Sequence, residues 1–288
     1  MWAALWTVYI IWGSTYLGIA VAGETIPPLL AVSTRFVAAG TIMAFVVRRR
    51  GGTMRLSRRS LASCVLIGCL LPGANAVLFF AERRVPTGLA SLLIASVPLL
   101  VVVLRLFARE RLPTAALAGV GVGFVGVAIL ARPSGGATGF GIALCVVSAV
   151  MWSLGSVASA RLTMPPDPFA ATAWEMLAGG LVMLPFGIAT AGTVSPSTTS
   201  LLAWLYLVTF GSVIGYTAYV WLLANAPLGT VSTYAYVNPV VAIVLGVFFR
   251  GEHLTTRILL GAAIVVSAVA VVVRREPPSA TAPEDGVR

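Results

Sequence analysis

Apolar stretches of about 20 residues recur along the whole chain, separated by short polar gaps. A helix that rises about 1.5 Å per residue needs this length to cross the roughly 30 Å hydrocarbon core of a bilayer. The stretches lack the strict alternation of membrane β-barrel strands, and only helices and closed barrels satisfy their backbone in hydrocarbon. The pattern therefore predicts an all-α integral membrane protein with ten transmembrane helices, at 2–22, 28–47, 61–80, 86–106, 113–131, 138–158, 168–190, 201–223, 228–249 and 257–273.

The composition agrees with a lipid bilayer as the main environment, since 59% of the residues are apolar and only 10% are charged. The net charge of +10 does not indicate nucleic acid as a partner, because the basic residues are all arginines and most lie between the apolar stretches. Cytoplasmic loops of membrane proteins are enriched in such residues. If the N-terminus lies in the cytoplasm, the larger group of arginines also lies on the cytoplasmic side. This predicts a multi-pass protein of the cell (inner) membrane with both termini cytoplasmic. That group is Arg48, Arg49, Arg50, Arg55, Arg58, Arg59, Arg105, Arg109, Arg111, Arg161, Arg274, Arg275 and Arg288.

The first span and the last residues each carry a pattern that needs its own interpretation. Ala20-Val21-Ala22 has the small-residue pattern of a signal-peptidase site, but no Arg precedes the run and the run is long enough to span. A retained first helix is therefore favoured. Residues 276–288 are polar and contain three prolines, which predicts a disordered cytoplasmic tail.

Residues that could support enzyme chemistry are scarce. Cys64, Cys69 and Cys145 have no metal-binding spacing and read as small core side chains. His253 is the only histidine, so no metal site and no cofactor are predicted. The acidic clusters of polyprenyl-type transferases and the paired residues of intramembrane proteases are also missing from the sequence, which argues against an enzyme.

An internal repeat appears when residues about 140 positions apart are compared. It divides the chain into residues 1–134 and 135–275, with five predicted spans in each half. Because five is odd, the second copy must enter the bilayer from the opposite side, so the repeats are inverted. The arginine-rich segment 48–59 and its uncharged counterpart 191–200 fit this arrangement, which is typical of transporters. The matched pairs are Trp12/Trp152, Ala38/Ala178, Gly40/Gly180, Pro86/Pro227, Gly88/Gly229, Ser91/Ser232, Pro98/Pro239, Val103/Val244, Phe107/Phe248, Glu110/Glu252 and Gly119/Gly261.

The sequence resembles the ten-helix EamA-type members of the drug/metabolite transporter superfamily over nearly its whole length. The motifs that carry the resemblance are short, so they identify the family better than a substrate. They are Ile11-Trp12-Gly13-Ser14, Arg35-Phe36, Pro86-x-Gly88 to Pro98 with Arg109 to Leu112, Pro227 to Pro239, and Gly251 to Leu254. The resemblance implies transport, most often export, of small organic metabolites such as amino acids by alternating access around a central cavity between the repeats.

Paired interruptions of helices 4 and 9 are the first candidates for a substrate site. Pro98 and Pro239 lie at matching positions about 11 residues into their spans, and each removes a helical hydrogen bond and frees a carbonyl. Such breaks near the bilayer midplane mark binding sites in transporters, so we include Ser96 and Asn238 beside them. Packing alone also explains a proline bend.

Two ionisable residues are predicted well inside spans, Arg35 in helix 2 and Glu175 in helix 7. They occupy matching positions of the inverted repeats, which places them at depths that differ by about 10 Å and disfavours a direct ion pair. Arg35 either anchors a carboxylated substrate or extends to the headgroups. Glu175 is the candidate for proton coupling, if transport is coupled to protons.

Aromatic and polar side chains complete the candidate site. Trp12 and Trp152 are repeat-matched and lie at mid-span, and Tyr216 and Tyr219 share one helical face. Cavity lining and core packing explain these residues equally well. The full set of predicted substrate-binding residues is Trp12, Ser14, Arg35, Asn75, Ser96, Pro98, Trp152, Glu175, Tyr216, Tyr219, Asn238 and Pro239.

Other classes of membrane transport protein remain open at this point. A lipid or nucleotide-sugar carrier of the same superfamily shares the architecture, and a pore-type channel shares the polar lining. The sequence also leaves open the direction of transport and whether the protein forms a homodimer.

Overall fold

The computed structural model describes residues 1–110, 112–132, 136–226, 231 and 233–275. These residues form helices and connecting loops without a strand, and eight of the helices are long and apolar enough to cross a membrane, with two shorter apolar ones. The predicted all-α, ten-helix membrane fold is thus confirmed. The predicted tail, the boundary at 134/135, and the sequence matches at Pro227, Gly229 and Ser232 lie outside the described residues.

The helices agree with the predicted spans to within a few residues, apart from two interruptions. They are α1 (Trp2–Ala22), α2 (Pro28–Arg49), α3 (Arg58–Glu82), α4a (Thr87–Ile94), α4b (Val97–Phe107), α5 (Thr114–Leu130), α6 (Gly139–Ser159), α7 (Pro168–Thr190), α8a (Thr198–Tyr206), α8b (Gly215–Asn225), α9 (Tyr234–Arg250) and α10 (Thr256–Arg275).

The fourth span is broken in the structure. α4a ends at Ile94 and α4b begins at Val97, and Pro98 occupies the first turn of α4b, where a missing N–H costs nothing. The sequence analysis expected an interruption of this span at Pro98, and in the structure the break lies at residues 95–96. Pro239, its repeat counterpart, lies inside the unbroken α9.

The eighth span is interrupted in a different way. Residues Leu207–Ile214 form a π-helix, which we call the π segment, between α8a and α8b. A π segment has wider turns than an α-helix and often occurs at functional sites. No residue pattern predicted it.

Glycines bring the two central helices, α2 and α7, into close contact. A Cβ atom at Gly40 would lie 2.9 Å from the backbone nitrogen of Leu177, and one at Gly180 would lie 2.8 Å from that of Val37. Only glycine lets the backbones approach this closely. These two glycines are repeat-matched, so the same contact is made from both sides.

A second pair of equivalent contacts holds the two spans that contain Pro98 and Pro239. Gly13 of α1 lies against α9, where an added Cβ would lie 3.1 Å from the carbonyl oxygen of Asn238. The counterpart of Gly13 is Ser153 of α6, whose hydroxyl is 3.3 Å from the carbonyl oxygen of Val97 in α4b. α1 therefore positions α9 as α6 positions α4.

An ion-pair cluster joins the ends of α4b and α6. Glu110 accepts a hydrogen bond from Arg105 at 2.6 Å and one from Arg161 at 2.5 Å. These bonds, that of Arg105 first, hold the pKa of the exposed Glu110 carboxyl below its ordinary value. The cluster ties two loops together.

Candidate functional site

A cavity of about 120 Å³ lies at the centre of the helices. It is lined by residues of α1, α2, α3, both parts of α4, α6, the π segment, α8b and α9. Predicted site residues that line it are Trp12, Arg35, Asn75, Pro98, Trp152, Tyr216, Asn238 and Pro239. Four of these eight residues form the sequence-matched pairs Trp12/Trp152 and Pro98/Pro239, so both halves of the chain contribute to the cavity.

The two prolines give this cavity free backbone acceptors. Pro98 cannot donate to the carbonyl of Ile94, and Pro239 cannot donate to the carbonyl of Ala235. Both Ile94 and Ala235 line the cavity. Two carbonyls at equivalent positions therefore lack their normal helical donor where a solute can reach them.

Arg35 brings a positive charge into the same cavity. It is 3% exposed, and its Nε atom donates to the hydroxyl of Ser212 in the π segment at 2.9 Å. Its Nη1 atom has no hydrogen-bond partner among the described residues. An unpaired buried guanidinium nitrogen costs several kcal/mol unless a ligand binds it. Ser212 thus holds Arg35 through its Nε atom, and Nη1 remains available to bind an anion.

The π segment has a second role, in positioning Trp12. The indole Nε1 donates to the carbonyl of Gly211 at 3.2 Å, and a Cβ at Gly215 would lie 2.5 Å from that same nitrogen. Gly211 itself has little space, since its Cβ would lie 3.3 Å from Nη2 of Arg35. The two glycines therefore leave room for the side chains of Trp12 and Arg35.

Tyrosine rings surround Trp12 on its remaining sides. The ring centroids of Tyr216, Tyr219 and Tyr234 lie 5.2, 5.0 and 5.3 Å from that of Trp12. Edge-to-face packing of this kind fixes ring orientation. The cluster forms an aromatic wall on one side of the cavity.

Four predicted site residues lie outside the cavity lining. Ser14 bonds to the carbonyl of Ile11 and to the hydroxyl of Tyr206, and Ser96 bonds to the carbonyl of Leu93. In both cases the hydroxyl satisfies a local helix carbonyl, as serine commonly does in membrane helices. Tyr219 packs behind Trp12.

Glu175 is the fourth of these residues. It lies on α7, and a Cβ at Gly68 of α3 would be 2.5 Å from its backbone oxygen. Its carboxylate makes no ion pair with Arg35, whose Nε is bound to Ser212 instead. Helices α2 and α7 lie in contact, as an ion pair between Arg35 and Glu175 would require, but the two side chains do not form one.

Some cavity residues were not predicted as site residues. Tyr16 and Tyr234 line the cavity because of the packing of α1 against α9, which the sequence does not reveal. Thr15, Ser91 and Ser148 are small hydroxyl residues with no distinguishing spacing, and all line the cavity.

Comparison with known proteins gives a consistent assignment. The sequence model described as the EamA-like transporter family matches residues 1–132 and again 139–274. The chain is 36% identical over 279 residues to a protein named uncharacterized inner membrane transporter YedA of Escherichia coli (strain K12), covering 94% of this chain and 90% of that protein.

Two further similarities add detail. A protein named probable terminal-alkyne amino-acid exporter of Streptantibioticus cattleyicolor is 29% identical over 292 residues, covering 96% of this chain and 93% of the relative. A solved crystal structure matches with a TM-score of 0.68 at 23% identity, over 94% of this chain and 96% of that one, which shows a shared fold.

Proposed function

Because the chain belongs to the EamA-like transporter family, we propose that it carries small carboxylated metabolites, such as amino acids, through the central cavity by alternating access. Membership of the family identifies it as a membrane transporter rather than an enzyme. The observation that supports the substrate class is the unpaired Nη1 of Arg35 in the cavity wall.

Arginine suits a carboxylate because its planar fork of donors matches the two carboxylate oxygens. In this chain Ser212 fixes the Nε edge, so the fork is held in place before a ligand arrives. Binding a carboxylate would satisfy Nη1 and neutralise the buried charge together. This gain favours an anion over a neutral solute.

Other groups of the cavity lining suit the amino group of such a solute. Among the described lining residues none is acidic. The free carbonyls of Ile94 and Ala235 can accept hydrogen bonds from an ammonium group, and the aromatic wall can attract its charge. Side chains of varied size would contact Trp12, Trp152 and Tyr234.

The cavity size favours this class over the carriers of larger molecules. A volume of about 120 Å³ lies below the roughly 300–1,000 Å³ that holds drug-sized ligands. A lipid or a nucleotide sugar would need a much larger space. A carrier mechanism is also favoured over a channel, since the aromatic wall and α4a narrow the cavity.

The architecture we propose is the pair of inverted repeats predicted from the sequence, with residues 1–134 in one and 135–275 in the other. The equivalent contacts Gly40/Gly180 and Gly13/Ser153 support it. Both termini would lie in the cytoplasm of a cell with the protein in its inner membrane, and the direction would be export, as named for the Streptantibioticus relative.

The test is counterflow in proteoliposomes that contain the purified protein. Liposomes are loaded with one amino acid at a time, and uptake of its labelled form is measured against that of its methyl ester, which lacks the carboxylate. Saturable uptake of the acid and little uptake of the ester is expected. Unsaturable flux would indicate a channel instead, and binding of lipids alone would overturn the substrate class.

Variants of Arg35 then test the anchor. Hydrogen bonds to charged groups contribute about 1.5–3 kcal/mol, so Arg35→Gln should raise the half-saturating concentration about 10- to 100-fold. Arg35→Lys should recover part of this loss. Arg84→Gln is the matched control, because Arg84 is exposed and its side chain contacts the carbonyl of Phe80 and the ring of Phe140 outside the cavity. Equal affinity in Arg35→Gln and the control would refute the anchor.

A further inference from the structure

A second buried charge lies outside the central cavity, at the last residue of α3. Glu82 is 7% exposed. Its Oε2 accepts a hydrogen bond from the hydroxyl of Thr87 at 3.3 Å, and its Oε1 has no hydrogen-bond partner among the described residues. An ionised carboxylate in this position would lose hydration without adequate compensation.

A neighbouring carboxylate holds the start of α4a. Glu252, two residues past α9, accepts the backbone N–H of Thr87 at 2.6 Å and that of Gly88 at 2.9 Å. These two bonds fix the Glu252 carboxyl group at the N-terminus of α4a. Gly246 makes room for it, because a Cβ there would lie 2.6 Å from Oε2 of Glu252. This contact, the Glu252 cap, joins the fourth span to the ninth.

The charges around Glu82 do not neutralise it. Glu252 acts on it with the same sign, and Arg250, the cation within range, is paired with Glu24. The other titratable groups that interact with Glu82 are Tyr16 of α1 and Cys145 of α6, which carry no charge in their ordinary form. Two ionised carboxylates in this buried region would repel each other.

We propose that Glu82 is a proton-binding site of this transporter, occupied while the Glu252 cap is closed and emptied when the cap opens. Closure holds Glu82 in a buried region beside a second carboxyl group, with its Oε1 without a hydrogen-bond partner among the described residues. Binding a proton there avoids the cost of a buried carboxylate that lacks compensation. Opening separates the carboxylates and admits water, so Glu82 releases its proton to that water.

The location connects this site with the central cavity. Tyr16 interacts with Glu82 and also lines the cavity. Thr87 begins the helix α4a, whose other end supplies the free carbonyl of Ile94. Binding or release of a proton at Glu82 therefore acts on α4a, the same short helix that contacts the solute.

A proton fits better than a metal cation. Hard cations take about six oxygen ligands, whereas Thr87 is the one side-chain oxygen bonded to Glu82 in the described part of the chain. Both oxygens of Glu252 already accept N–H bonds, which would have to break to bind a metal.

Proton binding can be measured without any substrate. Infrared spectra of the protein in liposomes, recorded at neutral pH in light and heavy water, should show the C=O stretch of a protonated carboxyl. Glu82→Gln should remove this band, and Glu110→Gln, an exposed glutamate at another loop, should retain it. Identical bands in wild type and Glu82→Gln would overturn the proposal.

A second variant tests the coupling to the cap while Glu82 stays intact. Gly246→Val places a side chain where the Glu252 carboxylate lies and should displace it from α4a. The band should then fall several-fold at neutral pH. Faster hydrogen exchange at the backbone amides of Thr87 and Gly88 would show that Glu252 is displaced. If the infrared band is unchanged while Glu252 is displaced, the coupling between Glu82 and the Glu252 cap is refuted.

Transport gives the third measurement and rests on the proposed function. With an amino acid that shows counterflow, a pH gradient should stimulate wild-type transport, and Glu82→Gln should lose this stimulation while exchange at equal pH continues. Loss of stimulation only in Glu175→Gln, or dependence on sodium instead of pH, would overturn the role. If no amino acid is transported, the proposed function fails while the infrared result still decides whether Glu82 binds a proton.

Discussion

The close contact of α2 with α7 makes a quantitative prediction about two repeat-matched glycines. At Gly40 an added Cβ would lie 2.8 Å from Cγ of Leu177, 2.9 Å from its backbone nitrogen and 3.0 Å from the carbonyl oxygen of Ala173. At Gly180 the corresponding distances are 2.8 Å to the nitrogen and 2.9 Å to Cγ2 of Val37, and 3.0 Å to the oxygen of Ser33. Neither site can relieve the overlap by moving a side chain alone.

We expect Gly40→Ala and Gly180→Ala to destabilise the protein by similar amounts. Overpacking costs about 1–3 kcal/mol, while Gly→Ala in a helix returns about 0.5–1 kcal/mol. Gly121→Ala is the matched control, because an added Cβ there meets nothing within 4 Å and only the helix gain remains. The difference between either variant and the control is the overpacking term itself.

The assay is thermal unfolding of the purified variants in one detergent, followed by size-exclusion chromatography of the remaining folded protein. At roughly 2–4 °C per kcal/mol, each central variant should melt about 2–12 °C below the Gly121→Ala control. A shift for Gly40→Ala with none for Gly180→Ala would refute the equivalence of the two contacts. Equal melting of all three would refute the close approach of the helices.

Three further outcomes are expected from the structure. Gly215→Ala should push the indole of Trp12 out of place and reduce counterflow at least tenfold, with little change in folding. Transport assays and tryptophan fluorescence would show both effects. Unaltered transport would contradict the position assigned to Trp12. Pro239→Ala supplies a donor for the carbonyl of Ala235, so it should raise the melting temperature and weaken substrate binding, measured by thermal shift with and without solute. For Glu110, whose pKa is lowered in the folded protein, the ion pairs should stabilise the protein above the ordinary carboxyl pKa of about 4.3 and lose this effect as pH falls through the lowered value. The melting temperature of Glu110→Gln should therefore change less on acidification than that of the wild type.

The sequence predicts the ten spans because hydrocarbon imposes one length and one kind of secondary structure. It also identifies Pro98 and Pro239, since a missing N–H has the same consequence in any helix. Arg35 could be identified from its position in an apolar stretch. What the sequence could not supply was its partner, because Ser212 faces Arg35 only through the π segment.

Glu82 shows a second limit of sequence reasoning. At the end of an apolar span it resembles an interfacial charge that reaches water. Its neighbour Glu252 is far away in the sequence and reaches α4a through the packing of α9 on that helix. Glu175, in contrast, is conspicuous in the sequence because it lies well inside a span, but it is not among the residues that line the cavity.

The π segment changes the direction in which side chains point between α8a and α8b. Residues before it pack on α1 and α2, whereas residues after it turn Tyr216 toward the solute and Tyr219 toward Trp12. Each residue of an α-helix advances the side chain by about 100°, so deletion of one residue from the segment would rotate the whole of α8b and replace the face that meets the cavity. Selectivity in this protein can therefore change through a single codon gained or lost at Leu207–Ile214, with every contact of α8a left as it is.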